Sequence, residues 1–163
     1  MLIIVEGPDG AGKSTLINQL MKSHPNSSYR HFSNPKTDEE AFGYWKVYAQ
    51  AIEDTDPAKV TIFDRSWYSD LVYAPIFRGR DEMDQMHVKM LELLVQSKGG
   101  GYVIYCTAPI SMLWARCKKR GETYVLSKEK LAEVAKSYGN VMATQCGLPV
   151  VRNDTGVPLG KVW

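Results

Sequence analysis

The feature that most constrains the fold is a glycine-rich segment near the start of the chain. The segment GPDGAGKS at positions 7–14 satisfies the pattern G-x-x-x-x-G-K-[ST] in full. The apolar run at positions 2–5 is typical of a buried strand in a parallel sheet. Residues 14–23 carry apolar side chains at helical spacing. A strand, a glycine-rich turn and a helix in this order predict a loop that binds phosphate at a helix N-terminus.

Strand and helix patterns alternate along the rest of the chain. Apolar, β-branched or aromatic runs predict strands at residues 29–32, 60–63, 102–106 and 148–151. Helical patterns occupy residues 38–53, 66–74, 84–97 and 128–141, with a further helix opened by Pro109. We expect Pro75 to end the helix at 66–74. The alternation predicts an α/β fold with three layers, α/β/α, around a parallel sheet.

Length and charge exclude several classes of protein. With 163 residues, the chain is expected to form one domain over residues 1–163. A net charge of +2, from 20 basic and 18 acidic residues, is too balanced for a nucleic-acid-binding protein. No apolar run is long enough to span a membrane, and the three cysteines match no zinc pattern. We therefore expect a cytoplasmic protein with no nucleic-acid or membrane partner.

Each part of the glycine-rich loop suits a nucleoside triphosphate. Glycines let successive backbone amides converge on one anion, and Lys13 adds an ammonium group between the β- and γ-phosphates. The Ser14 hydroxyl is a ligand for Mg²⁺, and Thr15 can donate to the α-phosphate. The predicted cofactors are ATP and Mg²⁺. The residues expected to contact ATP here are Gly7, Pro8, Asp9, Gly10, Ala11, Gly12, Lys13, Ser14 and Thr15.

A second group of polar residues is expected to face this loop. Asp64 ends an apolar strand, which suits a ligand of the metal or of a metal-bound water. Arg65 follows it and would offer a guanidinium fork to a terminal phosphate. Because the carboxyl ends of parallel strands form one crevice, both side chains should lie opposite the loop. The alternative is an Asp–Arg pair that only begins a helix.

Two more segments are weaker candidates. Arg116 and Arg120 lie one helical turn apart, at and just inside the start of a short lid expected at about residues 117–127. Their cations would stabilise charge on the transferred phosphoryl group, although a solvated basic face is the alternative. Asp154 belongs to a loop at residues 153–156 that would wrap an adenine edge, or is a plain turn.

Two longer motifs resemble those of thymidylate kinases. EGPDGAGKST at positions 6–15 looks like the family's EGxDGAGKST opening, and DRSWYSDLVY at positions 64–73 is similar to its DRYxxSxxAYQ segment. Arg78 and Gly79 fall where that family has a related Arg-Gly pair, and Arg120 begins a segment similar to its lid. The order and spacing agree from residue 2 to about residue 156.

The resemblance implies a nucleoside monophosphate kinase-like fold with five parallel strands and a nucleotide as small-molecule substrate. It implies that Asp9 contacts the acceptor's 3′-hydroxyl and that Arg65 holds the acceptor's phosphate. Tyr68, Tyr73 and Arg78 would lie around the sugar and base. Arg116 would reach ATP, and Arg120 the transferred phosphate, as catalytic residues with Lys13 and Arg65. Homodimerisation is also an expectation of the resemblance.

A segment expected near the acceptor departs from the family pattern. Residues 32–37 stand where thymidylate kinases have a TREPGGT-type segment that helps to hold the acceptor. Phe32 and Asn34 are therefore candidate substrate contacts, with a recognition that differs from the family's.

Two alternatives compete with a monophosphate acceptor. DRSWYSD also looks like the ERSxYSD segment of deoxynucleoside kinases, which phosphorylate a nucleoside 5′-hydroxyl. A hydroxyl needs a general base, but Asn34 stands before Pro35, where that family has a glutamate. A monophosphate is already anionic, so the sequence favours a nucleoside monophosphate as acceptor. The resemblance to thymidylate kinases implies that this acceptor is dTMP-like. A more remote alternative is a regulator that binds ATP without transferring phosphate.

Overall fold

The computed structural model describes residues 1–121 and 127–154. Five strands run through the described chain: β1 (Leu2–Glu6), β2 (Ser28–His31), β3 (Thr61–Asp64), β4 (Gly101–Thr107) and β5 (Val150–Asp154). They form a single sheet in the order β2-β3-β1-β4-β5. Every neighbouring pair is parallel. The predicted five-stranded parallel sheet is therefore confirmed.

Helices connect the strands on both faces of the sheet. They are α1 (Lys13–Ser23), α2 (Asp38–Glu53), α3 (Trp67–Tyr73), α4 (Gln85–Ser97), α5 (Ile110–Arg120) and α6 (Lys128–Thr144). Among these described helices, none combines the length and the apolar character that crossing a bilayer requires. The predicted limits of α2 are confirmed, and Thr37 caps its N-terminus by accepting from the amide of Glu40.

Alternating side chains of β1 divide the core into two halves. Leu2 and Ile4 pack with buried side chains of α2, α3, α4 and α6. Ile3 and Val5 point to the other face and pack with α1 and α5. The central strand is thus buried on both faces, as parallel sheets require. The result is the α/β/α layering that the sequence predicts.

Two local predictions were wrong because of proline. Pro75 does not end the chain's helical path, since α3 continues into one π-helical turn, Ala74–Arg78, with Pro75 at its start. Proline has no N–H to continue the α-helical hydrogen bonds, and the helical path widens into a π-helical turn at this point. Strand β5 begins only after Pro149, whose carbonyl accepts from the amide of Val103. Proline has no N–H to donate to the sheet.

The sheet brings the carboxyl ends of its strands to one edge. His31 and Asp64 are paired residues of β2 and β3, and Val5 pairs with Asp64 on the other side. The glycine-rich loop follows β1, so it lies next to the end of β3. Of the predicted lid at about 117–127, residues 122–126 lie outside the described residues, and Gly121 ends α5 with a left-handed φ of 66°.

Candidate active site

The glycine-rich loop leads directly into the N-terminus of α1. Gly12 stands at the N-cap with a left-handed φ of 87°, and no side chain caps the helix there. The first turn therefore presents backbone amides and the positive end of the helix dipole to the crevice. The ammonium of Lys13 bridges the loop by donating to the carbonyls of Gly7 (2.7 Å) and Pro8 (3.0 Å). Burial, aided by the charge of Arg65, lowers the pKa of Lys13 to about 8.

Two glycines of the loop have no room for a side chain. A Cβ at Gly7 would lie 2.1 Å from the carbonyl oxygen of Cys106, and one at Gly10 would lie 2.6 Å from that of Leu113. Both glycines also have positive φ. The end of β4 and helix α5 therefore press the loop into its anion-binding shape. Position 10 of the loop therefore has no room for a side chain, and so none for a cationic one.

Helix α5 supplies cations beside the loop instead. Arg116 donates to the carbonyl of Gly10 at 3.1 Å, so its guanidinium lies against the loop. Arg120 lines the same cavity as Lys13 and Ser14. Both arginines thus reach the side of the crevice where the sequence analysis expects ATP.

Asp64 is held at the end of β3 by two side chains from β2. The hydroxyl of Tyr29 donates to Oδ2 of Asp64 at 3.1 Å, and Nδ1 of His31 lies 3.0 Å from the same oxygen. Asp64 and Ser14 line one cavity. A carboxylate and a hydroxyl are oxygen ligands of the kind Mg²⁺ prefers, so these residues fit the predicted metal.

Arg65 points toward the loop from the opposite side. Its Nη2 donates to Oδ1 of Asp9 at 2.6 Å, and its guanidinium lies over the ring of Tyr73, 5.0 Å from the centroid. The backbone of Arg65 has a φ of 71°, which is rare for a residue other than glycine. A strained backbone at a crevice is a frequent mark of a functional site, since the surrounding structure must hold it.

Asp9 is the partner that ties Arg65 to the loop. The hydroxyl of Tyr73 donates to its second oxygen, Oδ2, at 3.2 Å. Burial alone would raise the pKa of Asp9, but the charges of Arg65 and Lys13 outweigh it and lower the pKa. Asp9 is therefore a carboxylate that links both halves of the crevice.

Two cavities meet at this ion pair. The outer cavity, of about 280 Å³, is lined by Asp9, His31, Phe32, Ser33, Asn34, Arg65 and Tyr73. The cradle cavity, of about 170 Å³, is lined by Asp9, Gly10, Ala11, Gly12, Lys13, Ser14, His31, Asp64, Arg65 and Arg120. Asp9, His31 and Arg65 line both cavities. A molecule in the outer cavity would thus face an anion held by the loop.

A comparison with family models identifies the chain's relatives. The model of polyphosphate kinase 2 (PPK2) matches residues 1–99, from β1 through α4. The chain belongs to the PPK2 family. The match includes the loop, His31, Asp64, Arg65 and Tyr73. With the fold already described, it makes the chain a kinase-like phosphotransferase.

Solved structures with bound nucleotides resemble this PPK2-family chain. YorR of Bacillus subtilis, in complex with phosphorylated GDP, is 28% identical over 96% of this chain and 86% of its own, with a TM-score of 0.76. Deoxyadenosine kinase of M. mycoides with bound dATP is 19% identical over 98% and 93%, with a TM-score of 0.63. The second likeness concerns the fold alone. No curated protein matches the chain significantly.

Two predicted substrate contacts of the PPK2-family chain are not among the residues that line the two cavities. The side chain of Tyr68 is fully buried in the core, and its hydroxyl donates to Glu92 at 2.7 Å, away from the crevice. Arg78 makes a bidentate pair with the buried carboxylate of Glu82, at 2.7 and 2.6 Å. A buried carboxylate needs such a partner, which directs the arginine to Glu82.

The remaining predicted residues divide between the crevice and the surface. Phe32, Asn34 and Tyr73 line the outer cavity as expected. Thr15 is exposed on α1, one residue beyond those that line the cradle cavity. Asp154 is exposed at the end of β5 and accepts from Arg152. Residues 155 and 156 of the predicted adenine loop lie outside the described residues.

Sequence reasoning missed His31 and a buried polar cluster behind Arg65. The signal for His31 was its place at the end of β2, in register with Asp64. The cluster consists of Glu6, Ser66, Ser69 and Tyr138, joined by hydrogen bonds. Local sequence patterns carry no signal for it, because 132 positions separate Glu6 from Tyr138.

Proposed function

We propose that this chain transfers the γ-phosphoryl group of ATP, with Mg²⁺, to a (deoxy)nucleoside monophosphate, with a dTMP-like acceptor favoured. The observation that carries the proposal is the guanidinium of Arg65, which lies between the outer cavity and the phosphate loop. An arginine fork in that position suits the phosphate of a second nucleotide. The outer cavity, close to the lower end of typical ligand-pocket volumes, has room for a small acceptor.

On the donor side, the loop's amides and Lys13 would bind the phosphates of ATP. Ser14 and Asp64 would hold Mg²⁺, which when bound neutralises charge on the β- and γ-phosphates. Tyr29 and His31 keep Asp64 in place from β2. Arg116 and Arg120 would stabilise the charge that develops during transfer. The chain needs no covalent intermediate for this reaction.

On the acceptor side, Arg65 would orient the monophosphate toward the γ-phosphate. Asp9 and Tyr73 border the outer cavity, and a carboxylate there suits a sugar hydroxyl donor. Each carboxylate oxygen accepts more than one hydrogen bond, so Asp9 can keep Arg65 while it binds the sugar. Phe32 offers an apolar surface and Asn34 an amide to the base. Homodimerisation stays a prediction.

The second candidate is a nucleoside acceptor, which His31 favours. The ring lines both cavities, where an attacking hydroxyl would have to lose its proton. With Nδ1 on Asp64, a neutral ring carries its lone pair on Nε2. His31 would therefore replace the general base that Asn34 does not provide. The phosphate fork of Arg65 is the reason for preferring the monophosphate.

The decisive experiment is a panel of donors and acceptors. ATP and inorganic polyphosphate, the compound in the family's name, are each combined with nucleosides, ribonucleotides and deoxynucleotides, and product formation is followed by chromatography. Turnover of a monophosphate with ATP supports the proposal. Turnover only with nucleosides supports the second candidate, and turnover only with polyphosphate refutes ATP as donor. ATP binding without any transfer would support the remote alternative of a regulator.

Two variants test whether the proposed site residues are responsible for the activity found in the panel. Lys13→Ala and Arg65→Ala are each expected to lose most activity while retaining the fold, which circular dichroism checks. Removing a charged group that binds the substrate through hydrogen bonds should lower the activity about 10- to 100-fold. Near-normal turnover of a monophosphate by Arg65→Ala would remove the proposed role of the guanidinium.

A further inference from the structure

The hydroxyl of Tyr138 lies behind the guanidinium of Arg65. Tyr138 belongs to α6 and is fully buried. Nη1 of Arg65 donates to this hydroxyl at 3.4 Å, while Nη2 donates to Asp9 on the other side. The guanidinium is thus held between a residue of the phosphate loop and a residue of α6. Helix α6 lies outside the segment that the PPK2 model matches.

A buried carboxylate holds the Tyr138 hydroxyl in place. Glu6, at the end of β1, is fully buried and accepts from Tyr138 at 3.2 Å. The same oxygen, Oε2, accepts from Ser69 at 2.7 Å, and Ser69 lies 2.8 Å from the Tyr138 hydroxyl. Ser66 donates to the other oxygen, Oε1, at 2.7 Å. A buried network satisfied in this way has little freedom to rearrange.

We propose that Tyr138, anchored by Glu6, is a positioning residue that aims the Arg65 guanidinium at the acceptor. The functional part of this inference rests on the proposed role of Arg65 in holding the acceptor's phosphate. An arginine side chain has several rotatable bonds, and fixing it before binding removes an entropic cost that the substrate would otherwise meet. The Tyr138 hydroxyl supplies that restraint from the side opposite Asp9. The hydroxyl has no direct contact with the loop that would bind ATP.

The test compares Tyr138→Phe with Tyr68→Phe. Each variant removes one buried tyrosine hydroxyl from a buried carboxylate, Glu6 or Glu92, so both lower the thermal stability. Only Tyr138→Phe removes the contact with Arg65, and its ring remains packed against Tyr73 and Tyr105. We expect Tyr138→Phe to raise the acceptor KM about 3- to 10-fold with an unchanged ATP KM. Tyr68→Phe should leave both KM values unchanged.

A second measurement follows the guanidinium without turnover. The Nε–H resonance of Arg65, assigned by its loss in Arg65→Lys, reports how rigidly the side chain is held. Its order parameter should fall in Tyr138→Phe and stay unchanged in Tyr68→Phe. This measurement decides the positioning of Arg65 even if the wild type transfers phosphate to none of the acceptors.

The outcomes separate the inference from the proposed function. An unchanged order parameter in Tyr138→Phe overturns the positioning role, whatever the enzyme does. An active wild type whose Tyr138→Phe variant keeps a normal acceptor KM also overturns it. A wild type without turnover refutes the proposed function, and a fallen order parameter then still supports the restraint of Arg65 by Tyr138.

Discussion

Asp70 provides a test of the structure that does not depend on the substrate. It lies on α3, is 6% exposed, and accepts from the hydroxyl of Tyr48 at 2.7 Å. Burial raises the pKa of its carboxyl from 3.8 to about 7, with Glu82 and Glu6 adding to the rise. The bond from Tyr48 and the charge of Arg78 oppose the rise. The perturbation is Asp70→Asn, which keeps an oxygen for Tyr48 and removes the charge.

The sign of the effect follows from proton binding. Between about pH 4 and about pH 7 the folded protein keeps the Asp70 proton that the unfolded chain has lost, so stability falls as the pH rises. At about 1.36 kcal/mol per pKa unit, the whole shift corresponds to roughly 4 kcal/mol. Between about pH 5 and about pH 8, the free energy of unfolding of the wild type should therefore fall by roughly 2 to 3 kcal/mol through this group. Asp70→Asn should not show this loss.

The assay is urea unfolding of both proteins at these two pH values. The difference between wild type and variant should change by roughly 2 to 3 kcal/mol in favour of the variant as the pH rises. Other titrating groups, including Glu6, are common to both proteins and largely cancel in the comparison. Exposed Asp81→Asn is the matched control and should follow the wild type. Parallel stability profiles for wild type and Asp70→Asn would refute the reasoning.

Three further predictions concern residues whose places the structure decides. Tyr68→Phe removes a donor from Glu92, so urea unfolding should show a loss of about 1 to 2 kcal/mol, while a changed acceptor KM would contradict its core position. Arg78→Met leaves the buried Glu82 with only the longer contact to Arg80, so the free energy of unfolding should fall by about 2 kcal/mol or more. The acceptor KM should stay normal, and unchanged stability would contradict the pairing. Gly10→Ala would press a Cβ onto the Leu113 carbonyl, and calorimetry should show ATP binding weakened by about 10-fold or more; wild-type affinity would contradict the tight packing of the loop.

The sheet and the phosphate loop were predictable because their signals are local. A buried run followed by a glycine-rich turn and an amphipathic helix allows few arrangements, and parallel strands then place Asp64 and Arg65 at the same edge. The predicted range 38–53 likewise matches the limits of α2. Each of these signals spans only a few neighbouring residues.

The sequence did not allow us to predict which side chains of α3 face the crevice. Tyr68 and Tyr73 both belong to this helix, and at about 100° per residue they point roughly 140° apart. Only one of them can line the outer cavity, and which one depends on how α3 packs against α6. The resemblance named both tyrosines, and the packing selects Tyr73.

Contacts between residues that lie far apart in the chain could not be predicted from the sequence either. The strand at 29–32 was predicted to within one residue of β2, but the sequence does not show which residues of two strands pair. The place of His31 beside Asp64 therefore became evident only from the register of β2 and β3. The contact between Arg65 and Tyr138 spans 73 positions and depends on the packing of α6.

The most direct test of the central claim follows the γ-phosphate itself. The protein is incubated with Mg²⁺, dTMP and ATP radiolabelled in the γ-phosphate, and the products are separated by chromatography. We expect label in the deoxynucleoside diphosphate with wild type, and little or none with Arg65→Ala. Label found only in inorganic phosphate, or transfer that is indifferent to Arg65, would contradict an acceptor phosphate held by Arg65 opposite the loop.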